Sequence, residues 1–194
     1  MLILVRHGQT AGNAAGLLLG RADLALTDLG RLQADALAEA LRHGVDRVVS
    51  SPLQRARQTA DALGLPVEID DRWVEVDYGE YDELPFNAVP AAVWQSWRTD
   101  ETFRPPGGES FREVGERVRA ACDELVEDAA DRNVVVVSHV SPIKAAVAWA
   151  LDVSGAVSWR MHLDVAAICR VSVSRRAVSL LTFNETAHLA AVPH

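Results

Sequence analysis

Three short aliphatic runs constrain this chain more than anything else in it: Met1 to Arg6, Arg47 to Ser50 and Val134 to Ser138. Their apolar residues are nearly continuous, so neither face of such a strand can meet water, and both must be covered by helices. The long amphipathic stretches between the runs can supply that cover and allow parallel crossover connections. An α/β class with an open, largely parallel sheet follows. Ala166 to Val173 and Val178 to Asn184 read as two further strands, joined as a hairpin across Ser174-Arg175-Arg176.

The helices are marked by their end signals. Thr27 caps a helix with apolar positions Leu29, Leu32, Ala36, Leu37, Ala40 and Leu41, ending at Gly44. Ser51-Pro52 opens a second that carries Arg55, Ala56, Thr59, Ala60 and Leu63 and stops at Gly64. Ser110 and Glu113 form a capping box for a long helix through Val114, Val118, Cys122 and Leu125. Ser141-Pro142 opens the last, before Ile143, Ala146, Val147, Ala150 and Leu151. Between Asp70 and Gly108 the pattern loosens, with a short helix around Val93, Trp94 and Trp97. That stretch reads as a lid-like insertion over about 71–108, whose individual aromatics are expected to pack on the core.

With 194 residues, the expectation is a single domain with a core large enough to stand without disulfides or metals. A formal charge of -8 lacks the basic face that a nucleic-acid partner needs. Cys122 and Cys169 lack CxxC spacing and read as buried thiols of a reducing compartment, and the N-terminal run is too short for a signal peptide or membrane span. A cytoplasmic protein with a small-molecule partner is the resulting expectation.

The ends of the three strands carry the chemistry. The first runs into Arg6-His7-Gly8, the second into Ser50-Ser51 with Arg55 a turn later, and the third into Ser138-His139. Ligands of open parallel sheets bind beyond the carboxyl ends of the strands, so these segments should meet at one rim. Side chains in a helix lean toward its N-terminus, which aims Arg55 back over the sheet edge. Two guanidiniums and two imidazoles suit a dianionic tetrahedral group such as phosphate. A metal is the weaker reading, because no HxxxH-type spacing exists and two arginines would repel a divalent cation. An uncharged histidine in such a pocket can act as a nucleophile toward phosphorus. The leaving oxygen then needs a proton, for which Glu75, Asp77, Glu80, Asp82 and Glu83 are all candidates on the residues alone.

Arg6-His7-Gly8-Gln9-Thr10 with Asn13, Asp23 to Gly30, Ser51-Pro52-Leu53-Gln54-Arg55-Ala56, Glu75 to Gly79, Pro106 to Ser110 and Ser138-His139 together resemble the histidine phosphatase (phosphoglycerate mutase-like) superfamily. The resemblance implies a three-layer α/β sandwich around a mixed, mostly parallel sheet. It implies His7 as nucleophile, Glu75 as proton donor and acceptor, Arg6, Arg55 and His139 as phosphate ligands, and Asn13, Leu19 and Gly20 as further phosphate contacts. It further implies a phosphomonoester substrate, inorganic phosphate as product, and neither metal nor other cofactor. Stretches His139 to Lys144 and Asn184 to Leu189 look similar to actinobacterial acid phosphatase domains.

Gln9, where mutases often have Glu, and the modest chain length favour hydrolysis over a phosphoglycerate mutase reaction; a non-catalytic phospho-ligand module is the other alternative. Val140 in place of the usual Gly narrows the expected pocket, and Glu80, Asp82 and Glu83 are expected to make its rim acidic. Lys144, in the first turn after His139, can add positive charge near the pocket but reads more readily as solvated; His43, His162, His188 and His194 read as structural or solvated, and the C-terminal strands leave a homodimer open.

Overall fold

The structure, a computed structural model, describes residues 1–174 and 177–193. Its elements run β1 (Leu2–Arg6), α1 (Ala11–Ala14), α2 (Asp28–Leu41), β2 (Arg47–Ser50), α3 (Gln54–Asp61), β3 (Val67–Ile69), α4 (Ala91–Thr99), α5 (Phe111–Asp131), β4 (Val134–Ser138), α6 (Val140–Ala150), β5 (Ile168–Val173) and β6 (Val178–Glu185), with short 3-10 turns between them. The sheet order is β3-β2-β4-β1-β5-β6. The four strands from β3 to β1 are parallel, and β5 and β6 close the sheet antiparallel, so the mixed, mostly parallel sheet is as expected.

Strand side chains alternate between two buried layers. Leu2, Leu4, Val134 and Val136 face α5 and α6 in one apolar cluster with Val118, Cys122, Ile143 and Val147. Ile3, Val5, Val135 and Val137 face α2 and α3 in the other, with Leu37, Leu41, Ala56 and Ala60. This is why the runs carry no polar alternation: each such side chain buried contributes roughly 1.5–3 kcal/mol from whichever face it lies on. Helix α2 comes close enough to the β1 rim that only glycine fits on either side. A Cβ on Gly8 would lie 2.4 Å from the Gly30 carbonyl oxygen, and one on Gly30 would lie 2.1 Å from that of Gln9.

Several expectations shift in detail. The second helix begins at Gln54, capped by Leu53, because Ser51 and Pro52 belong to the strand-exit turn; the Ser51 hydroxyl accepts from the Leu53 amide at 3.3 Å. Helix α6 begins one residue before Ser141, with His139 at its cap. Strand β3 was not foreseen: its three residues pair with β2 at the sheet edge, where Glu68 and Ile69 are exposed and leave no continuous apolar pattern. Helix α1, a single turn held by reciprocal Thr10 and Asn13 bonds, is equally short. The hairpin residues Arg175 and Arg176, and His194, lie outside the described residues.

Within 71–108, Trp73 and Trp97 are fully buried in the α5–α6 layer, as core packing of single aromatics predicts. Cys122 and Cys169 are buried and unpaired. Among the described residues no helix is long and apolar enough to cross a membrane.

Candidate active site

Register places the polar strand ends together. Arg6 pairs with Ser138 across β1 and β4, and Ser50 with Val137 across β2 and β4. The ladder continues one step further, with the His7 amide donating to the Ser138 carbonyl and the Ser51 amide to that of Val137, both at 3.0 Å. His7, Ser51 and His139 therefore leave three neighbouring strands at one edge, and the rings of His7 and His139 stand 5.0 Å apart at 58°.

The tautomer of each ring follows from its partners. His7 Nδ1 lies 2.7 Å from the carbonyl oxygen of Gly8, which accepts only, so Nδ1 carries the proton and Nε2 keeps its lone pair. Gly8 is fixed in turn, its amide donating to Thr59 Oγ1 at 3.0 Å while that hydroxyl donates to the Arg55 carbonyl at 2.8 Å. His139 has the opposite assignment. Arg55 Nε donates to its Nδ1 at 3.2 Å, so the ring proton is on Nε2 and is given to Ser51 Oγ at 2.7 Å. Burial, then Arg55 and Arg6, hold His7 well below the ordinary histidine value; burial and Arg55 do the same for His139. Both imidazoles are neutral.

Arg55, although fully buried, makes no ion pair among the described residues. Besides His139, its guanidinium donates to the carbonyls of Ala22 at 2.6 Å and Gly20 at 2.9 Å. Those carbonyls are held by Asp82, whose carboxylate accepts from the amides of Gly20, Arg21 and Ala22 at 2.6, 2.8 and 2.9 Å. Asp82 is thus a loop clamp, and the acidic rim expected from it, Glu80 and Glu83 does not form at the cavity, which none of the three lines. Arg6 donates to the Leu163 carbonyl at 2.6 Å, and its buried Nε has no hydrogen-bond partner among the described residues. Burial lowers its pKa to about 10, so it remains charged at neutral pH.

Glu75 is almost fully buried, and its Oε1 accepts from its own neighbour's amide, Val76, at 2.8 Å and from Ser141 at 3.2 Å, in the first turn of α6. Arg117 fixes the Glu75 backbone from the far side, donating to its carbonyl at 3.3 Å and to Glu109 Oε1 at 2.8 Å. Asp77 is likewise committed to the Gly79 amide at 2.9 Å. Among the five acidic candidates, Glu75 alone lines the cavity beside His7.

That cavity has a volume of about 340 Å³. Arg6, His7, Asn13, Leu19 and Glu75 contribute to its lining, whereas Arg55, His139 and Gly20 are buried outside it. Asn13 Oδ1 accepts from the Thr10 amide at 3.0 Å, leaving its NH₂ free to donate. Lys144, read from sequence as solvated, is half-buried in the lining one helical turn from His139, because the first turn of α6 faces the cavity. Burial lowers its pKa despite the favourable charge of Glu75. Thr59, Asp82 and Arg117 were not singled out as supports, since their roles exist only through contacts distant in sequence. His43 and His162 are exposed, and His188 bonds the Ala166 carbonyl at 3.0 Å, as structural or solvated residues do. Among the described residues no three His, Cys, Asp or Glu side chains are grouped to hold a metal ion.

An uncharged nucleophilic nitrogen, guanidinium charge and a carboxyl group at one rim suit displacement at a tetrahedral, anionic centre. The bifunctional protein Rv2228c of Mycobacterium tuberculosis is 39% identical over 198 residues, covering 97% of this chain, and the chain spans only 54% of that relative's length. A phosphoserine phosphatase mutant from Entamoeba histolytica, solved in complex with phosphoserine, superposes with a TM-score of 0.89 at 25% identity, covering 97% of this chain and 98% of its own. Mycobacterial glucosyl-3-phosphoglycerate phosphatase does so with 0.83 at 32% identity, covering 95% and 98%. The family model of the histidine phosphatase superfamily (branch 1) matches residues 2–186, and the chain belongs to that superfamily.

Proposed function

We propose that the chain acts as a single histidine phosphatase domain, a phosphomonoester hydrolase that works through a phosphohistidine on His7 and needs no metal. The observation that carries this reading is His7 itself: Nδ1–H is held by the Gly8 carbonyl, and Nε2 is unprotonated in the cavity that Arg6 also lines. In the first half-reaction the Nε2 lone pair forms a bond to phosphorus. The bond from phosphorus to the ester oxygen breaks, that oxygen keeps the bonding pair, and the Glu75 carboxyl delivers a proton to it. In the second, water attacks phosphorus, Glu75 takes the water's proton, and the N–P pair returns to His7 as inorganic phosphate leaves.

Phosphoryl transfer depends mainly on positioning and on charge placed where the phosphoryl oxygens lie. Arg6 and Lys144, which line the cavity, supply that charge in the role a divalent cation has elsewhere, and Arg55, buried behind it, adds its positive field from the His139 side. Asn13 offers a neutral donor at the same end, and His139, fixed through Arg55 and Ser51, presents its ring beside His7. Tyr78, Phe86 and Trp94 of the 71–108 segment line the cavity, which supports reading that segment as its lid-like side.

The test is phosphate release from an aryl phosphate in the presence of EDTA, for the native chain and for His7→Ala. Chelator-resistant turnover that is lost in the variant, with ³²P label from the substrate retained on the native chain after a denaturing alkaline quench and released by acid, is the expected result. Turnover that EDTA abolishes would remove the metal-free mechanism. Interconversion of phosphoglycerate isomers faster than phosphate release would replace the hydrolase by a mutase.

A further inference from the structure

We propose that the cavity beyond the phosphate end is a leaving-group subsite for apolar, ring-bearing alcohols, an assignment that rests on the hydrolase reading above. The lining that contains Arg6, His7 and Glu75 also includes Phe86, Trp94, Phe111, Trp149 and Trp159, with the charged side chains of Glu101, Arg112, Glu116 and Arg119 among them. A volume of about 340 Å³ falls within the roughly 300–1,000 Å³ typical of sites for ligands of one or more rings. A three-carbon polar leaving group would leave most of the aromatic wall in contact with water.

The wall is built for rings. Trp159 meets Phe111 edge-on at 5.3 Å and 78°, and Trp94 at 6.4 Å and 89°, the T-shaped geometry that aromatic pairs favour. Two of the indole N–H groups are already used, Trp149 donating to Asp123 Oδ1 at 2.8 Å and Trp94 to the Phe86 carbonyl at 3.3 Å. What these two residues have left to offer a ligand is ring carbon. Leu17, Leu18 and Leu19 add aliphatic lining that is tied to the Phe86 segment, with the Leu18 amide donating to the Leu84 carbonyl at 2.8 Å and the Phe86 amide to that of Gly16 at 3.1 Å. Phe86 and Val153, also in the lining, are 51% and 44% exposed, so apolar surface in this site goes uncovered by the protein itself.

The experiment compares kcat/KM for 2-phenylethyl phosphate and ethyl phosphate. Both expel a primary alkoxide, so their ratio reports binding of the ring and not leaving-group acidity. Burial of a phenyl ring predicts a preference of about tenfold or more, falling toward one in Trp159→Ala and, as a second variant that needs no core rearrangement, in Phe86→Ala. Equal rates on the two esters, or a preference that survives both substitutions, would overturn the subsite while leaving the hydrolase intact. If neither ester turns over, the hydrolase reading fails separately. Calorimetric titration of His7→Ala with the two esters then decides the subsite, tighter binding of the phenyl ester supporting it and equal binding overturning it.

Discussion

Arg55 and His139 determine each other's chemistry: Arg55 Nε donates to His139 Nδ1 at 3.2 Å, which leaves the imidazole proton on Nε2 for Ser51. A lysine has no planar fork and cannot bond the ring and the carbonyls of Gly20 and Ala22 together. Arg55→Lys is expected to lower kcat/KM by about 100-fold or more, comparable to loss of a preorganised electrostatic donor. It should also lower stability by about 1–3 kcal/mol through the carbonyls left unmet. Steady-state kinetics with urea unfolding of the same sample measures both; an unchanged kcat/KM would remove Arg55 from the phosphate end.

The neutral state of the two buried histidines sets a pH dependence. Their folded values lie below the ordinary 6.5, so between that pH and the folded values the unfolded chain binds more protons and stability falls as pH falls. Above 6.5 they contribute no slope. Each adds up to about 1.4 kcal/mol per pH unit below it. His188 acts in the same direction, while Glu68, whose value its hydrogen bond to Arg47 depresses, contributes only below about 4.5. Thermal unfolding between pH 4.5 and 6.5 should therefore show a slope that His139→Gln reduces and that inorganic phosphate, by favouring protonated partners, also reduces. A flat profile in the native chain would contradict the buried neutral pair.

Glu75→Gln keeps an acceptor oxygen for the amides of Val76 and Ser141, so the fold and the α6 terminus should survive. The proton route does not. Hydrolysis of alkyl esters is expected to fall by about 100- to 10,000-fold, the usual worth of a positioned acid–base group. Aryl esters, whose leaving oxygen needs less help, should lose markedly less in the phosphorylation half-reaction. Equal losses for both ester classes in single-turnover experiments would argue against Glu75 as the proton donor.

Gly30→Ala tests the close approach of α2 to the rim. Its Cβ would meet the Gln9 carbonyl at 2.1 Å, a backbone contact that no rotamer relieves. Destabilisation of about 1–3 kcal/mol or more is expected, with weaker phosphate binding as the His7–Thr10 turn shifts. A native-like melting temperature would show that the helix can slide away from the rim without cost.

Continuous aliphatic runs were legible as strands because burial on both faces leaves an unambiguous pattern; β2 and β4 keep the bounds read from sequence. β3 was hidden because an edge strand of three half-wet residues has no such pattern. At the site, His7, Glu75 and Arg6 were identifiable from motifs, and the structure brings them to one cavity. The supports were not: Asp82 reaches the 20–22 amides across some sixty residues, and Thr59 joins Gly8 to Arg55 from within a helix. The exposure of Lys144 was misjudged for a related reason, since which side of α6 faces the cavity depends on how the helix is seated and not on its own sequence.

The two imidazoles follow directly from neighbouring strands, and their 5.0 Å separation matches the interstrand spacing of about 4.8 Å. The sheet is therefore a ruler for the two backbone positions, graduated by hydrogen bonding between strands, while Gly8, Arg55 and Ser51 orient the rings placed on it. Exchanging the residues at 7 and 139 alters what is presented at the two marks while the interval between them stays fixed, which makes this edge a scaffold on which two reactive groups can be rewritten independently of their spacing.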